Sequence, residues 1–265
     1  MNEQEELIKL LTNKAQLVAM LAPSFPIAYE YPEIVGKLKR LGFSYVMEVA
    51  VGAKSTNDQV IEKLRKNPEA QIITSPCPSF VRLIRKKYPD LLKSLALEVD
   101  SPMSATAKFV RKRFPEYKSV FIGPCIAKKF EAAEDHPDLE ILVLTYKEIN
   151  KVFDYFKIVD EESDKQATFD VEQPLTRLYP ISGGLAQSSQ ASQLLAEDEL
   201  EVVSGWENCQ QALKRFQENK NIKLLDILFC NGGCVSGPGI ESDLSLEERR
   251  KKVIAFWEGE KLKKE

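Results

Sequence analysis

Five cysteines stand in this 265-residue chain, at Cys77, Cys125, Cys209, Cys230 and Cys234, and four of them share one local setting. Cys77 lies in SPCPS after the run QIITS, and Cys125 lies in GPCIAKK after SVFIG. Cys230 and Cys234 lie in CNGGCVSGPG after LLDILF. Each therefore follows a short apolar or β-branched run and sits in a turn built from Pro or Gly. Four thiolates suit either Zn²⁺ or a [4Fe–4S] cubane. Structural zinc usually takes two close Cys pairs within a small module. Here only Cys230 and Cys234 are close, so the spacing favours a cluster gathered from remote loops. Small residues beside the thiols let backbone amides approach cluster sulfurs. A helix starting after Cys77 or Cys125 would favour the thiolate. One such cysteine would read as a small buried hydrophobe; four in matched turns do not. Cys209, in SGWENCQQALKRF, has no such cradle and reads as a packed or partly exposed thiol near a helix start.

The remaining composition narrows the chemistry. The chain carries 37 basic and 40 acidic side chains, a net charge of −3, with 43% hydrophobic and 29% charged residues. That is ordinary globular composition, which excludes bulk disorder and a polybasic nucleic-acid binder. No stretch approaches the ~18–20 apolar residues of a membrane span. The start, MNEQEELIKLLTNK, has acids where a signal peptide carries bases, so a cytoplasmic location is expected. In that reducing setting a disulfide framework is not expected, and metal or thiol chemistry takes its place. His136, in EDHPD, is the only histidine. Multi-histidine zinc catalysis is thereby excluded, a His-based triad would have to run through this one residue, and His136 itself reads as a solvated turn residue.

Strand-like runs occur at 16–22, 44–50, 71–75, 119–123, 140–145, 200–205 and 224–229. Between them, apolar residues recur at three and four positions over 32–42, 57–67, 78–88 and 104–114, with further helices expected at 146–157, 207–218 and 245–258. This alternation predicts an α/β fold: two lobes of largely parallel sheet flanked by helices, with the cluster site in the crevice between them. The four cysteines fall at the carboxyl ends of three strands, the edge at which open parallel sheets bind ligands. The expected division is an N-terminal helix (1–16), a first α/β lobe with the first two Cys motifs (17–159), an acidic polar connection (160–174), a second lobe with the CxxxC motif (175–240) and a C-terminal helix (241–265).

These segments resemble the catalytic, cluster-binding domain of [FeFe]-hydrogenases. TSPCPSFVRLIRKKYPDLL (74–92) is similar to the family's first motif, TSCCPxW followed by an amphipathic helix. FIGPCIAKKFEA (121–132) is similar to its second, MPCxxKKxEA, and DILFCNGGCVSGPG (226–239) to its third, CxxGCxxGGGQP. ISGGLAQS (181–188) and SPM (101–103) also resemble family segments, and the likeness runs from about residue 17 to 240. The resemblance implies that Cys77, Cys125, Cys230 and Cys234 hold a [4Fe–4S] cubane. It implies that Cys234 bridges to a CO- and CN⁻-bearing diiron subcluster, where one is present, and that Lys128 hydrogen-bonds a cyanide of that unit. Ser101, Pro102 and Gly233 are further cofactor-binding positions it implies. The activity implied is reversible heterolysis of H₂.

Departures from the family concentrate where turnover is decided. The first of its paired cysteines, the proton-transfer thiol, is Pro76 here, which has no exchangeable side-chain proton, so no catalytic residue is assigned. Two methionines that pack on the diiron unit are Gly123 and Leu228, and the Gly-Gly-Gln-Pro segment reads GPGI (237–240). Where acidic relay residues are expected after Gly52-Ala53, the chain has Asn57 and Gln59, with Asp58 and later Glu62 as carboxylates. A missing relay removes general acid–base help of about 10²–10⁴ in rate. Similar departures occur in hydrogen-sensing members of the family. The reading is thus an iron–sulfur protein of the [FeFe]-hydrogenase type that acts on H₂ slowly or senses it. The alternatives are a non-hydrogenase [4Fe–4S] electron-transfer or cluster-handling protein without the diiron site, and a zinc-binding or thiol-redox interaction protein, though no C-x-x-C motif is present. Implied partners are a ferredoxin-like or other electron-transfer or signalling protein, and diiron-maturation proteins if the subcluster is present.

Overall fold

Runs such as LVAML are apolar at every position, so a strand made from them must be covered on both faces, as parallel sheets with crossover helices are. The computed structural model describes residues 2–261. Its strands are β1 (Leu17–Leu21), β2 (Tyr45–Glu48), β3 (Ile72–Ile73), β4 (Lys118–Gly123), β5 (Leu142–Thr145), β6 (Leu200–Ser204) and β7 (Leu224–Leu228). They form two parallel sheets, one in the order β2–β1–β4–β5 and one in the order β3–β7–β6. All seven strands fall on the runs expected from sequence. β1 and β7, each central in its sheet, are buried at every residue.

The helices are α1 (Glu3–Thr12), α2 (Glu33–Leu41), α3 (Ala50–Lys66), α4 (Pro78–Lys87), α5 (Pro102–Arg113), α6 (Ala127–Phe130), α7 (Tyr146–Phe156), α8 (Gly184–Ser189), α9 (Trp206–Glu218) and α10 (Leu246–Lys261). Their starts are chemically marked. Asn2 and Glu5 form a capping box on α1, Thr145 and Glu148 another on α7, and the Ser101 hydroxyl accepts the Ser104 N–H at the head of α5. α3 begins seven residues before the expected helix, because the small residues Ala50, Gly52 and Ala53 let it lie against α5. An added Cβ at Gly52 would collide with the Pro102 carbonyl and Thr106. Among the described residues no helix is long and apolar enough to cross a membrane.

Two expectations about chain organisation are corrected. The first two Cys motifs do not share a lobe: β3, which leads to Cys77, pairs with β7 through Ile72↔Leu224 and Ile73↔Leu225, so the Cys77 loop belongs with residues 200–234. The acidic segment 160–174, expected as a polar connection between lobes, also packs back on the first sheet's side of the molecule. Asp164 is buried against α2, where it accepts Arg40 Nε–H at 2.8 Å, and an added Cβ at Gly36 would collide with it. Farther along, Glu48 N donates to Val171 O at 3.0 Å, extending the edge beside β2. Arg177, wholly buried, then donates to Glu48 at 2.7 Å and lies under the Phe256 ring.

Candidate metal centre

Both sheets present their carboxyl ends to one region, and the cysteine loops meet there. Cys77 caps α4, and its thiol faces the backbone N–H groups of Phe80, one turn into that helix, and Phe229, beside Cys230. Cys125 follows β4, and its thiol faces the N–H groups of Ala127 and Lys128 at the start of α6. The Cys230–Cys234 loop is held mainly by backbone, with the Ser204 hydroxyl accepting the Gly232 N–H at 3.1 Å. Gly233, at φ +104°, brings it against 180–182, where Val235 N donates to Pro180 O at 3.2 Å and Ser182 N to Gly232 O at 3.0 Å. A Cβ at Gly233 would stand 2.5 Å from the Pro180 carbonyl oxygen. Gly237 and Gly239 seat the same loop on the Cys125 turn: Gly239 N donates to Pro124 O at 2.8 Å, and a Cβ at Gly237 would stand 2.5 Å from that oxygen. Glycine is required at 233 and 237 by this close backbone approach.

All five thiols are free. Burial lifts the Cys125 and Cys230 thiols to about 11, and raises those of Cys77 and Cys234. Each of the four is raised further by at least one of the others: Cys77 by Cys230, Cys125 by Cys77, Cys230 by Cys125, and Cys234 by the other three. The four sequence-predicted thiols thus sense one another across loops from both sheets. The Lys128 charge opposes this and lowers the Cys77, Cys125 and Cys234 thiols. Among the described residues no three His, Cys, Asp or Glu side chains are grouped as ligands of one metal ion. Cys209 is also raised by Cys77 and Cys230, but it lies within a helix rather than in a Pro- or Gly-built turn at a strand end. It is fully buried in α9, donates to Leu228 O at 3.5 Å, and burial pushes its thiol up to about 12.

Beside Cys125 and Cys234 lies a cavity of about 70 Å³, walled largely by apolar groups that include Pro76, Pro102, Met103 and Leu228. Lys128 lines it too. The space left by the absent side chain at Gly123 is filled by the Phe121 ring, 2.6 Å from where a Cβ would stand. Lys128 Nζ donates to Glu131 Oε2 at 2.6 Å, Ser101 Oγ at 3.0 Å and the Pro76 carbonyl at 3.2 Å. An ammonium has three N–H donors, and all three are taken. Ser101 is therefore placed under Lys128, and Pro102 on the cavity wall, while Gly233 contributes backbone conformation. On α3, Asn57 accepts from Tyr179 and Gln59 accepts the Asp100 N–H, while Asp58 and Glu62 pair with Lys54 and Lys66 at the surface.

Two residues escaped the sequence reading. Asp226, in the middle of β7, lines the cavity and accepts the Ala186 N–H at 3.2 Å; burial lifts its carboxyl to about 6. A lone acid inside LLDILF was the available signal. Glu131 completes a buried ion pair with Lys128, signalled by their i,i+3 spacing in KKFE. Glu131 and Ser101 also line a second cavity of about 160 Å³ with Asp135 and His136, so His136 is half-buried at a cavity rather than free in solvent.

Residues 15–238 match the family model described as "Iron only hydrogenase large subunit, C-terminal domain". The chain is 24% identical over 283 residues to the "NADP-reducing hydrogenase subunit HndD" of Solidesulfovibrio fructosivorans, covering 84% of this chain and 48% of that protein. It is 24% identical over 264 residues to "Iron hydrogenase 1" of Clostridium pasteurianum, covering 78% and 46%. It is also 21% identical over 276 residues to the "Probable cytosolic Fe-S cluster assembly factor oxy-4" of Caenorhabditis elegans, covering 83% and 60%. The chain thus spans about half the length of the curated hydrogenases it matches. Among solved structures, a variant of the [FeFe]-hydrogenase HydA1 from Chlamydomonas reinhardtii shares the fold with a TM-score of 0.71 at 16% identity, over 97% of this chain and 88% of that one.

Proposed function

This chain belongs to the family formed by the C-terminal domains of iron-only hydrogenase large subunits, and on that premise we propose that Cys77, Cys125, Cys230 and Cys234 hold one [4Fe–4S] cubane in an iron–sulfur protein that moves single electrons. One observation carries this reading: four unpaired thiols, delivered by loops of two different sheets, each have their pKa raised by at least one other of the set. Without a cation such a set resists ionisation, and bound iron reverses that, because a coordinating thiol is deprotonated outright. The donor set fits a cubane in type and number. The chain's own groups do the rest. Backbone N–H groups of Phe80, Phe229, Ala127 and Lys128 face the thiols and stabilise their negative charge, and the Gly-rich loop keeps side chains out of the way. When bound, the cubane supplies one-electron chemistry. The electron partner is a ferredoxin-like or signalling protein, and the setting is the cytoplasm.

A second reading adds H₂, as a slow hydrogenase or a sensor, and the cavity bounded by Cys234 and Lys128 favours it. The residues as they stand do not fit a diiron subcluster with cyanide ligands: every N–H of Lys128 is already bonded within the protein, and Pro76 offers no proton. The experiment that separates the readings is anaerobic co-expression with diiron-maturation proteins, followed by infrared spectroscopy. Cubane absorption without terminal CO and CN⁻ bands is the expected result. Those bands would establish the second reading, and a protein without cubane absorption would overturn both.

A further inference from the structure

We propose that Glu131, acting through Lys128 and braced by Ser101, sets the reduction potential of the four-thiol site. The inference rests on the cubane reading and deepens it. Lys128, Glu131 and Ser101 are 8%, 6% and 5% exposed. Lys128 Nζ donates to Glu131 Oε2 at 2.6 Å and to Ser101 Oγ at 3.0 Å, and the Ser101 hydroxyl donates in turn to Glu131 Oε1. The third ammonium donor reaches the carbonyl of Pro76, the residue next to Cys77. The charge is therefore fixed on the wall it shares with Cys125 and Cys234, one residue from Cys77.

Charges buried this way are weakly screened by solvent and salt. A cubane on four thiolates is anionic and gains one further negative charge when reduced. A fixed cation beside it stabilises the reduced form, and the Glu131 carboxylate partly cancels that cation. Glu131 is thus a positioning residue that both aims the Lys128 charge and moderates it. It stands between two cavities, with Lys128 on the wall of the first and Glu131 and Ser101 on that of the second.

The test is an anaerobic redox titration of the reconstituted full chain, with dithionite as reductant and mediators, following the reduced cluster by electron paramagnetic resonance. Glu131→Gln keeps the size and removes the charge, and its potential rises above that of the unaltered protein at equal iron and sulfide content. Lys128→Gln lowers the potential, and Lys128→Arg restores most of it. A purely structural role would change cluster content without moving the potential of the clusters that remain. Should Glu131→Gln fail to load, the Lys128→Arg and Lys128→Gln pair carries the test, and equal potentials in that pair overturn the proposal. A loaded Glu131→Gln protein with an unmoved potential overturns it while leaving the cubane reading intact. An unaltered chain that takes up no cluster overturns both.

Discussion

Asp226 sits on the cavity wall with the Ala186 N–H of α8 and the Thr74 hydroxyl as partners, and its titration has a definite consequence. The carboxyl has a value of 3.8 when exposed and about 6 in the fold. Between those values the native state binds more protons than the unfolded chain, so stability is greatest at the acid end and falls as pH rises from about 4 to about 6. The loss attributable to this group is about 3 kcal/mol at one pKa unit per 1.36 kcal/mol. Asp226→Asn removes that component, so urea unfolding at several pH values should show the slope over this window flatten. An unchanged slope in Asp226→Asn would contradict the burial argument. The sequence hid this residue because a single acid in an apolar strand shows neither which face it occupies nor what lies there. The surroundings of Lys128 were hidden too, since its partners come from residues 76, 101 and 131, and only the last is near in sequence. The setting of each cysteine was readable by contrast, because Pro, Gly and a preceding apolar run mark a thiol held at the end of a buried strand.

At the scale of elements, the loop after β7 makes a sharp prediction. Gly233→Ala must place a Cβ 2.5 Å from Pro180 O at a φ of +104°, a strained conformation of order 1–3 kcal/mol before the clash is added. Urea unfolding should report a loss of at least about 2 kcal/mol, together with poorer iron uptake. Gly259→Ala, in a helix with open space around its Cβ, is the control and should lower neither stability nor iron uptake, since a compatible Gly→Ala change in a helix stabilises slightly. The strands themselves were legible because short β-branched runs bounded by Pro and Gly leave little alternative. The start of α3 was not, because Val49 and Ala50 read as the end of a strand and nothing marks 51–56 as helical until α5 is known to pack against Gly52 and Ala53. α6 was too short to show a period: it is four residues long, followed by a wider π-type turn over Glu131–Asp135. The pairing of β3 with β7 could not be read at all, since it joins two-residue Ile72–Ile73 to a strand about 150 positions later.

Across the whole molecule, the two sheets are not consecutive pieces of chain. β3 leaves the first stretch to join the second sheet, and the segment 160–174 returns to pack on α2 and β2, so the site is assembled by crossing connections. A site built this way binds nothing until both sheets are in place. Cluster uptake is therefore tied to folding of the entire chain rather than to a separable module. The five cysteines offer the most direct test of this. After anaerobic reconstitution with iron and sulfide, iron and acid-labile sulfide should each approach four per chain. Serine at 77, 125, 230 or 234, one position at a time, should remove most of that iron, while Cys209→Ser, whose thiol is buried in α9 and donates to Leu228 O, should retain it. Full iron in any of the first four variants, or equal loss in Cys209→Ser, would contradict the claim that four remote thiols grip one cluster.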